Sequence, residues 1–165
     1  MTPTPDRLRV EIVRYEDRLA AEFKRLNIEW LESFGLLAPH DLDDLDAPRE
    51  AIVAPGGQIF FAVEAGVVIG TCAVRPVSPT VAELAKLAVT PAAQGRGIGR
   101  RLVTAAVEHA RSLAAEKLVL VSNSRLTSAI RLYETLGFEH GPVPADSGYA
   151  TADVYMELSL MPRPC

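Results

Sequence analysis

Three apolar spacings succeed one another along this chain, and each predicts a different element. Leu8, Val10 and Ile12 alternate with Arg7, Arg9 and Glu11, so residues 8–13 read as a half-buried strand. From Tyr15 the period lengthens. Leu19, Phe23, Leu26, Trp30 and Phe34 recur every three or four positions, which predicts a helix of about twenty residues stopped at Gly35. Residues 40–48 carry Asp41, Asp43, Asp44 and Asp46 and suit one short helix, and residues 50–54 add a turn ended by Pro55-Gly56-Gly57. Three apolar segments follow in close order, 58–64, 67–77 and 81–89, divided by Ala65-Gly66 and Ser78-Pro79-Thr80. That spacing predicts an antiparallel meander.

The helical period returns at Ile98. Ile98, Leu102, Ala106 and Ala110 form the centre of a broad apolar stripe ending near Ala115. Residues 117–121 are a short β-rich run. Residues 126–136 form a helix closed by Gly137, with Phe138 placed for the apolar contact of a Schellman end. A segment rich in Gly and Pro, 141–144, leads to a last strand over 152–160. The order β, helices, βββ, α, β, α, β predicts an α/β domain of the α+β type, with a central mixed, mostly antiparallel sheet flanked by helices. One domain covers 8–160, between a flexible terminus at 1–7 and a tail at 161–165.

Composition changes this picture little. A chain of 165 residues, 48% hydrophobic and 23% charged, suits one globular domain. A net charge of −4 gives no bulk attraction to nucleic acid or to an anionic membrane, so any anion site must be local. Cys72 sits in an apolar run and Cys165 ends the chain, which implies neither a disulfide framework nor a metal site. His109 and His140 have no metal-ligand spacing either. The start lacks a basic-then-apolar leader, and no apolar run approaches the roughly 20 residues of a membrane span. The reading is cytoplasmic.

The chemistry-bearing stretch is Val89-Thr90-Pro91-Ala92-Ala93-Gln94-Gly95-Arg96-Gly97-Ile98-Gly99-Arg100-Arg101. An apolar run ends, three alternating glycines follow, and a helix begins. Backbone N–H groups crowd there without Cβ obstruction, at a helix end that favours an anion. Arg96, Arg100 and Arg101 oppose that dipole, a conflict that a bound anion relieves. A Walker loop needs Lys-Ser or Lys-Thr after its glycines, and none is present. A dinucleotide fingerprint needs glycine where Arg100 stands, and needs it in the first βα unit.

The pattern Gln94-x-x-Gly97-x-Gly99 after Leu87-Ala88-Val89 resembles the pyrophosphate loop of the GNAT superfamily of acyl-CoA-dependent acetyltransferases. Asn123, followed by Ala129-Ile130-Arg131-Leu132-Tyr133-Glu134-Thr135-Leu136-Gly137-Phe138, resembles that family's second block. The resemblance covers roughly residues 8–160. It implies a single GNAT-like domain whose sheet is splayed at the acyl-CoA-binding strand. It implies acetyl-CoA held by Leu87, Ala88 and Val89, by Gln94, Gly95, Arg96, Gly97, Ile98, Gly99 and Arg100, and by Asn123, Ala129 and Tyr133. No metal is implied.

Acetyl transfer to an amine poses two proton problems. An alkyl ammonium of pKa about 10.4 must lose a proton, and the departing thiolate is helped by gaining one. Tyr133 stands where the family places the acid near the thioester sulfur; the alternative is a packing aromatic. Glu83, in an apolar strand, is the candidate base; the alternative is a salt bridge to Lys86 or Arg75. Asn123 either holds the pantetheine arm or shapes a turn. Asp153, Tyr149, His140, Asp41 and Trp30 are further candidates for the acceptor side, each with a structural or surface reading beside it. The resulting expectation is an N-acetyltransferase passing acetyl from acetyl-CoA to a primary amine by direct attack. The acceptor is a small molecule or amino acid of unknown identity, with no nucleic acid or membrane partner and a homodimer left open. A protein N-terminal or lysine acetyltransferase and a non-catalytic acyl-CoA-binding regulatory module are the alternatives.

Overall fold

The three apolar segments along 58–89 become the centre of a seven-stranded sheet. The computed structural model describes residues 9–145 and 151–162. Tyr149, Cys165 and the terminus at 1–7 lie outside the described residues. Strands β1 (Glu11–Arg14), β2 (Gln58–Glu64), β3 (Val67–Pro76), β4 (Val81–Val89), β5 (Lys117–Ser122), β6 (Glu139–Gly141) and β7 (Val154–Ser159) are ordered β1-β2-β3-β4-β5-β7-β6. Only β4 and β5 pair in parallel. The first strand begins at Glu11, later than its apolar alternation. Strand β6 falls in a segment read from sequence as a connection: three residues at a sheet edge bury no face, so they leave no alternation to read.

Even and odd positions of the sheet feed two separate cores. Helix α1 (Ala20–Ser33), helix α2 (Pro39–Asp46) and the wide turn Arg49–Val53 cover one face, where Phe23, Leu26, Leu45 and Ile52 meet Ile59 and Phe61. Helix α3 (Ile98–Ser112) and helix α4 (Thr127–Thr135) cover the other, where Leu102, Val103 and Ala106 meet Phe60 and Ala62. Helix α4 ends as its sequence predicts. Gly137 has φ +97°, the Phe138 N–H bonds the Tyr133 carbonyl at 3.0 Å, and the Gly137 N–H bonds that of Glu134 at 3.1 Å. The Tyr133 and Phe138 rings, 5.6 Å apart, supply the apolar contact of this Schellman end.

Two irregularities of β4 create the site. Its pairing with β5 lasts only from Val81↔Lys117 to Glu83↔Val119, and beyond Glu83 the two strands part. Opposite β3, the register runs Thr71↔Ala88 and then Ala73↔Ala85, so β4 carries one extra residue. Lys86 takes up that bulge with φ +57°, a conformation costing a non-glycine residue about 1–2 kcal/mol. The insertion flips the alternation. Ala82 and Leu84 face the α3 layer, whereas Ala88 faces the α1 layer. Glu83 and Lys86, three apart and therefore on opposite faces of a regular strand, come to line one cavity.

Candidate active site

The loop after β4 is tied down before it reaches the glycines. The Thr90 N–H bonds the Ile69 carbonyl at 2.9 Å, Pro91–Ala93 form one tight turn, and Gln94 Nε2 donates to the Val89 carbonyl at 3.1 Å. Gly97 then caps α3 with φ +76°, which L side chains rarely adopt. The first N–H groups of α3 have no partner within the helix and point into a groove of about 340 Å³. Leu87 and Val89 form one wall of it, the residues Gln94, Gly95, Gly97, Ile98, Gly99 and Arg100 the end, and Ala129 the far side. Trp30, Ser128 and Leu132 also line it.

Four of the residues expected to hold the cofactor do not line this groove. Arg96 turns back to an ion pair with Glu64, which holds the Glu64 carboxyl below and the guanidinium above their ordinary pKa values. Ala88, at 1% exposure, packs its side chain into the α1 core. Asn123 and Tyr133 line the second cavity rather than the groove. The arginine conflict is largely settled within the fold: Arg101 donates to the Val10 carbonyl at 2.8 Å and Arg100 to Thr135 Oγ1 at 3.2 Å. Of the three, only Arg100 faces the groove.

The second cavity, about 110 Å³, opens where β4 and β5 part. Trp30 and Leu87 line both spaces, so the cavity and the groove adjoin. Glu83 sits on its wall, with Arg75 Nε and Nη2 both 3.0 Å from Oε1, and Arg75 also reaches Asp44 at 3.2 Å. Lys86 crosses to α2 instead, placing Nζ 2.5 Å from Asp41 Oδ1, with both side chains under 8% exposed. Asp41 Oδ2 accepts the Ala38 N–H at 3.0 Å and so closes the first turn of α2. The acidic run is therefore not a solvated face: Asp41 and Asp44 turn inward, and Asp46 pairs with Lys24.

Tyr133 stands across this cavity on α4. Burial, with a smaller push from Cys72, keeps its phenol above the ordinary pKa of 10.0, so it is protonated at neutral pH. Among the described residues its hydroxyl has no hydrogen-bond partner, yet no buried side-chain oxygen or nitrogen lacks one, so the hydroxyl opens into the cavity. The Asn123 amide is committed at both ends, Nδ2 donating to the Thr151 carbonyl at 2.6 Å and Oδ1 accepting the Arg125 N–H at 2.9 Å. Asp153 is bound by Ser124 through its N–H and its hydroxyl, and His140 is exposed 3.6 Å from Glu134. Neither lines the cavity. Lys86 is the functional candidate that sequence reading passed over as a mere partner for Glu83; a lysine inside an apolar strand was its only signal. Among the described residues no cluster of His, Cys, Asp or Glu suits a metal, and no helix is long and apolar enough to cross a membrane.

Known proteins share this fold. An uncharacterised N-acetyltransferase of Schizosaccharomyces pombe is 32% identical over 149 residues, covering 84% of this chain and 87% of that protein. A GNAT-family acetyltransferase from Staphylococcus aureus superimposes with a TM-score of 0.85 at 16% identity, covering 93% of this chain and 100% of the other. One from Brucella melitensis, in complex with acetyl-CoA, does so with a TM-score of 0.71 at 21% identity over 94% of this chain and 90% of the other. Residues 23–138 match the acetyltransferase (GNAT) family, and with the splayed β4, the capped glycine loop and Tyr133 in place, the chain belongs to that family and is an acyltransferase.

Proposed function

We propose that this enzyme transfers acetyl from acetyl-CoA to the primary amine of a small molecule by direct attack on the bound thioester. The observation that carries the reading is the junction of the two spaces at Trp30 and Leu87. A phosphate-bearing donor suits the groove, where unpaired N–H groups at the start of α3 and the Arg100 guanidinium converge. The edge of β4 left unpaired beyond Glu83 offers peptide groups to an amide-bearing arm. The thioester then lies at the junction, with the amine arriving from the cavity side.

The residues present suit both proton transfers. The ammonium gives a proton to Glu83, whose Oε2 has no partner among the described residues while Arg75 holds Oε1. The amine nitrogen attacks the carbonyl carbon, the carbon–sulfur bond breaks, and the Tyr133 hydroxyl protonates the sulfur. The amide nitrogen sheds a second proton, so the sum is ammonium plus thioester giving amide, thiol and one proton. Cys72 takes no part: it is fully buried, and burial raises its thiol above the ordinary 9.0.

Thiol release from acetyl-CoA over a panel of small amines and N-terminal peptides tests this reading. Small amines release thiol, and Tyr133→Phe lowers turnover by about 10²–10⁴-fold while acetyl-CoA affinity holds. Release with peptides alone moves the acceptor to a protein. Binding of coenzyme A without release from any amine makes the chain a binding module.

A further inference from the structure

We propose that the Asp41–Lys86 pair restricts the acceptor to a short primary amine whose far end carries no charge. The inference rests on the acetyl-transfer reading of the same site. Size sets the first limit. A cavity of about 150 Å³ holds one benzene ring, so the 110 Å³ beside Tyr133 takes a chain of about four carbons, with the reacting nitrogen at the junction with the groove. Trp30, Leu31, Leu36 and Leu87 supply an apolar lining for the carbon body of such a molecule.

Charge sets the second limit. Among the described residues, two carboxylates, Asp41 and Glu83, and one ammonium, Lys86, line the cavity. Arg75 lies behind the wall, between Asp44 and Glu83. Counted together among the described residues, the lining and the wall behind it set three carboxylates, Asp41, Asp44 and Glu83, against two cations, Lys86 and Arg75, which suits a single substrate ammonium beside Glu83. The Asp41–Lys86 pair already occupies the polar end as an internal zwitterion, with its charges 2.5 Å apart and shielded from water. A second ammonium on the acceptor meets Lys86, and a carboxylate meets Asp41 and Glu83. Each sets a like charge beside side chains that are themselves buried, and each must break a buried pair to find a partner. The bulge makes this device. Without the extra residue in β4, Lys86 points to the opposite face from Glu83.

The test uses three amines with the same four-carbon chain and different far ends: n-butylamine, 4-aminobutyrate and 1,4-diaminobutane. Trp30 is the only tryptophan in the chain and lines the cavity, so its fluorescence reports binding in the presence of coenzyme A, independently of transfer. The wild-type enzyme binds n-butylamine most tightly, and its kcat/KM for that amine exceeds those for the other two by about tenfold or more. Lys86→Met moves the preference to 1,4-diaminobutane, whose second ammonium replaces the lost lysine beside Asp41. Asp41→Asn moves it to 4-aminobutyrate, whose carboxylate pairs with Lys86. The double variant Asp41→Asn/Lys86→Met leaves no single buried charge and brings the three amines to similar rates, which covers the case in which a single variant fails to fold.

Equal or better use of the carboxylate or diamine by the wild-type enzyme overturns the inference. So does a wild-type Trp30 signal that does not rank n-butylamine first. If Trp30 ranks the three as stated but no amine releases thiol, the acetyl-transfer reading falls and the cavity's selectivity stands. If thiol is released only with larger or charged amines, the transfer reading stands and the inference falls.

Discussion

Arg96 and Arg100 lie four residues apart in one loop and helix start, yet the fold assigns them different partners. Arg96 is paired with Glu64 away from the groove, and Arg100 faces it. An exposed pair contributes about 0–1 kcal/mol, whereas a hydrogen bond from a charged donor to a ligand contributes about 1.5–3 kcal/mol. Arg100→Ala should therefore weaken acetyl-CoA binding about tenfold or more, and Arg96→Ala should leave it within about twofold, by calorimetric titration. Equal losses from both would mean that Arg96 leaves Glu64 for the donor. Lys86 and Asp41 illustrate the reverse case, a pair whose breaking is costly because neither member reaches water. Lys86→Met takes the ammonium away from the buried Asp41 carboxylate and should lower stability in urea unfolding, part of the loss being recovered by adding Asp41→Asn. A single variant as stable as the wild type would place Asp41 in contact with solvent.

At the scale of elements, the start of α3 decides how well the donor is held. Gly97→Ala puts a Cβ on a residue at φ +76° and should destabilise the fold by about 1 kcal/mol. It should also lower acetyl-CoA affinity, since relaxing φ turns the first N–H groups of α3 away from the groove; unchanged affinity would show that the donor does not use them. This start was legible from the glycine spacing alone, as was the Schellman end of α4, because both are local rules of backbone chemistry. The limits of β2 and β4 followed from apolar runs bounded by turn residues, as expected of strands covered on both faces. The bulge was not legible. Along 81–89, Ala82, Leu84, Lys86 and Ala88 share one parity, and nothing local says that the strand gains a residue at Lys86. What stabilises it is Asp41, 45 residues away on α2. The partner of Asn123 was not legible for a similar reason: the Thr151 carbonyl that its amide bonds lies 28 residues away.

Across the whole molecule, one sheet separates two cores, and the acidic and basic chemistry lies on opposite sides of it. Glu83, Lys86 and Asp41 belong to the α1–α2 side, and Tyr133 and Cys72 to the core under α3 and α4. The second core therefore carries two groups that ionise only with difficulty, and this sets the alkaline limit of the fold. Burial raises Cys72 above its ordinary 9.0 and Tyr133 above its ordinary 10.0. Below pH 9 both are neutral in the folded and unfolded chains, and their stabilising effect is fully present. Above pH 9 the unfolded chain releases the Cys72 proton while the folded chain keeps it, so stability falls by about 1.4 kcal/mol per pH unit. Above pH 10 Tyr133 adds a similar slope, joined by Tyr15 and Tyr155, whose phenols also sit above 10.0. Between pH 9 and pH 10 Cys72 therefore makes the largest single contribution, with the tyrosines adding smaller ones. Across that unit Cys72 accounts for about 1 kcal/mol of the loss seen by urea unfolding, so Cys72→Ala, though less stable throughout because it leaves a small void, should lose about 1 kcal/mol less than the wild type. Parallel losses in the two proteins would put the titrating group elsewhere. In the same range the phenol of Tyr133 stays protonated, so if it serves as the proposed acid, kcat should hold up to pH 10, and any alkaline fall below that pH belongs to another group.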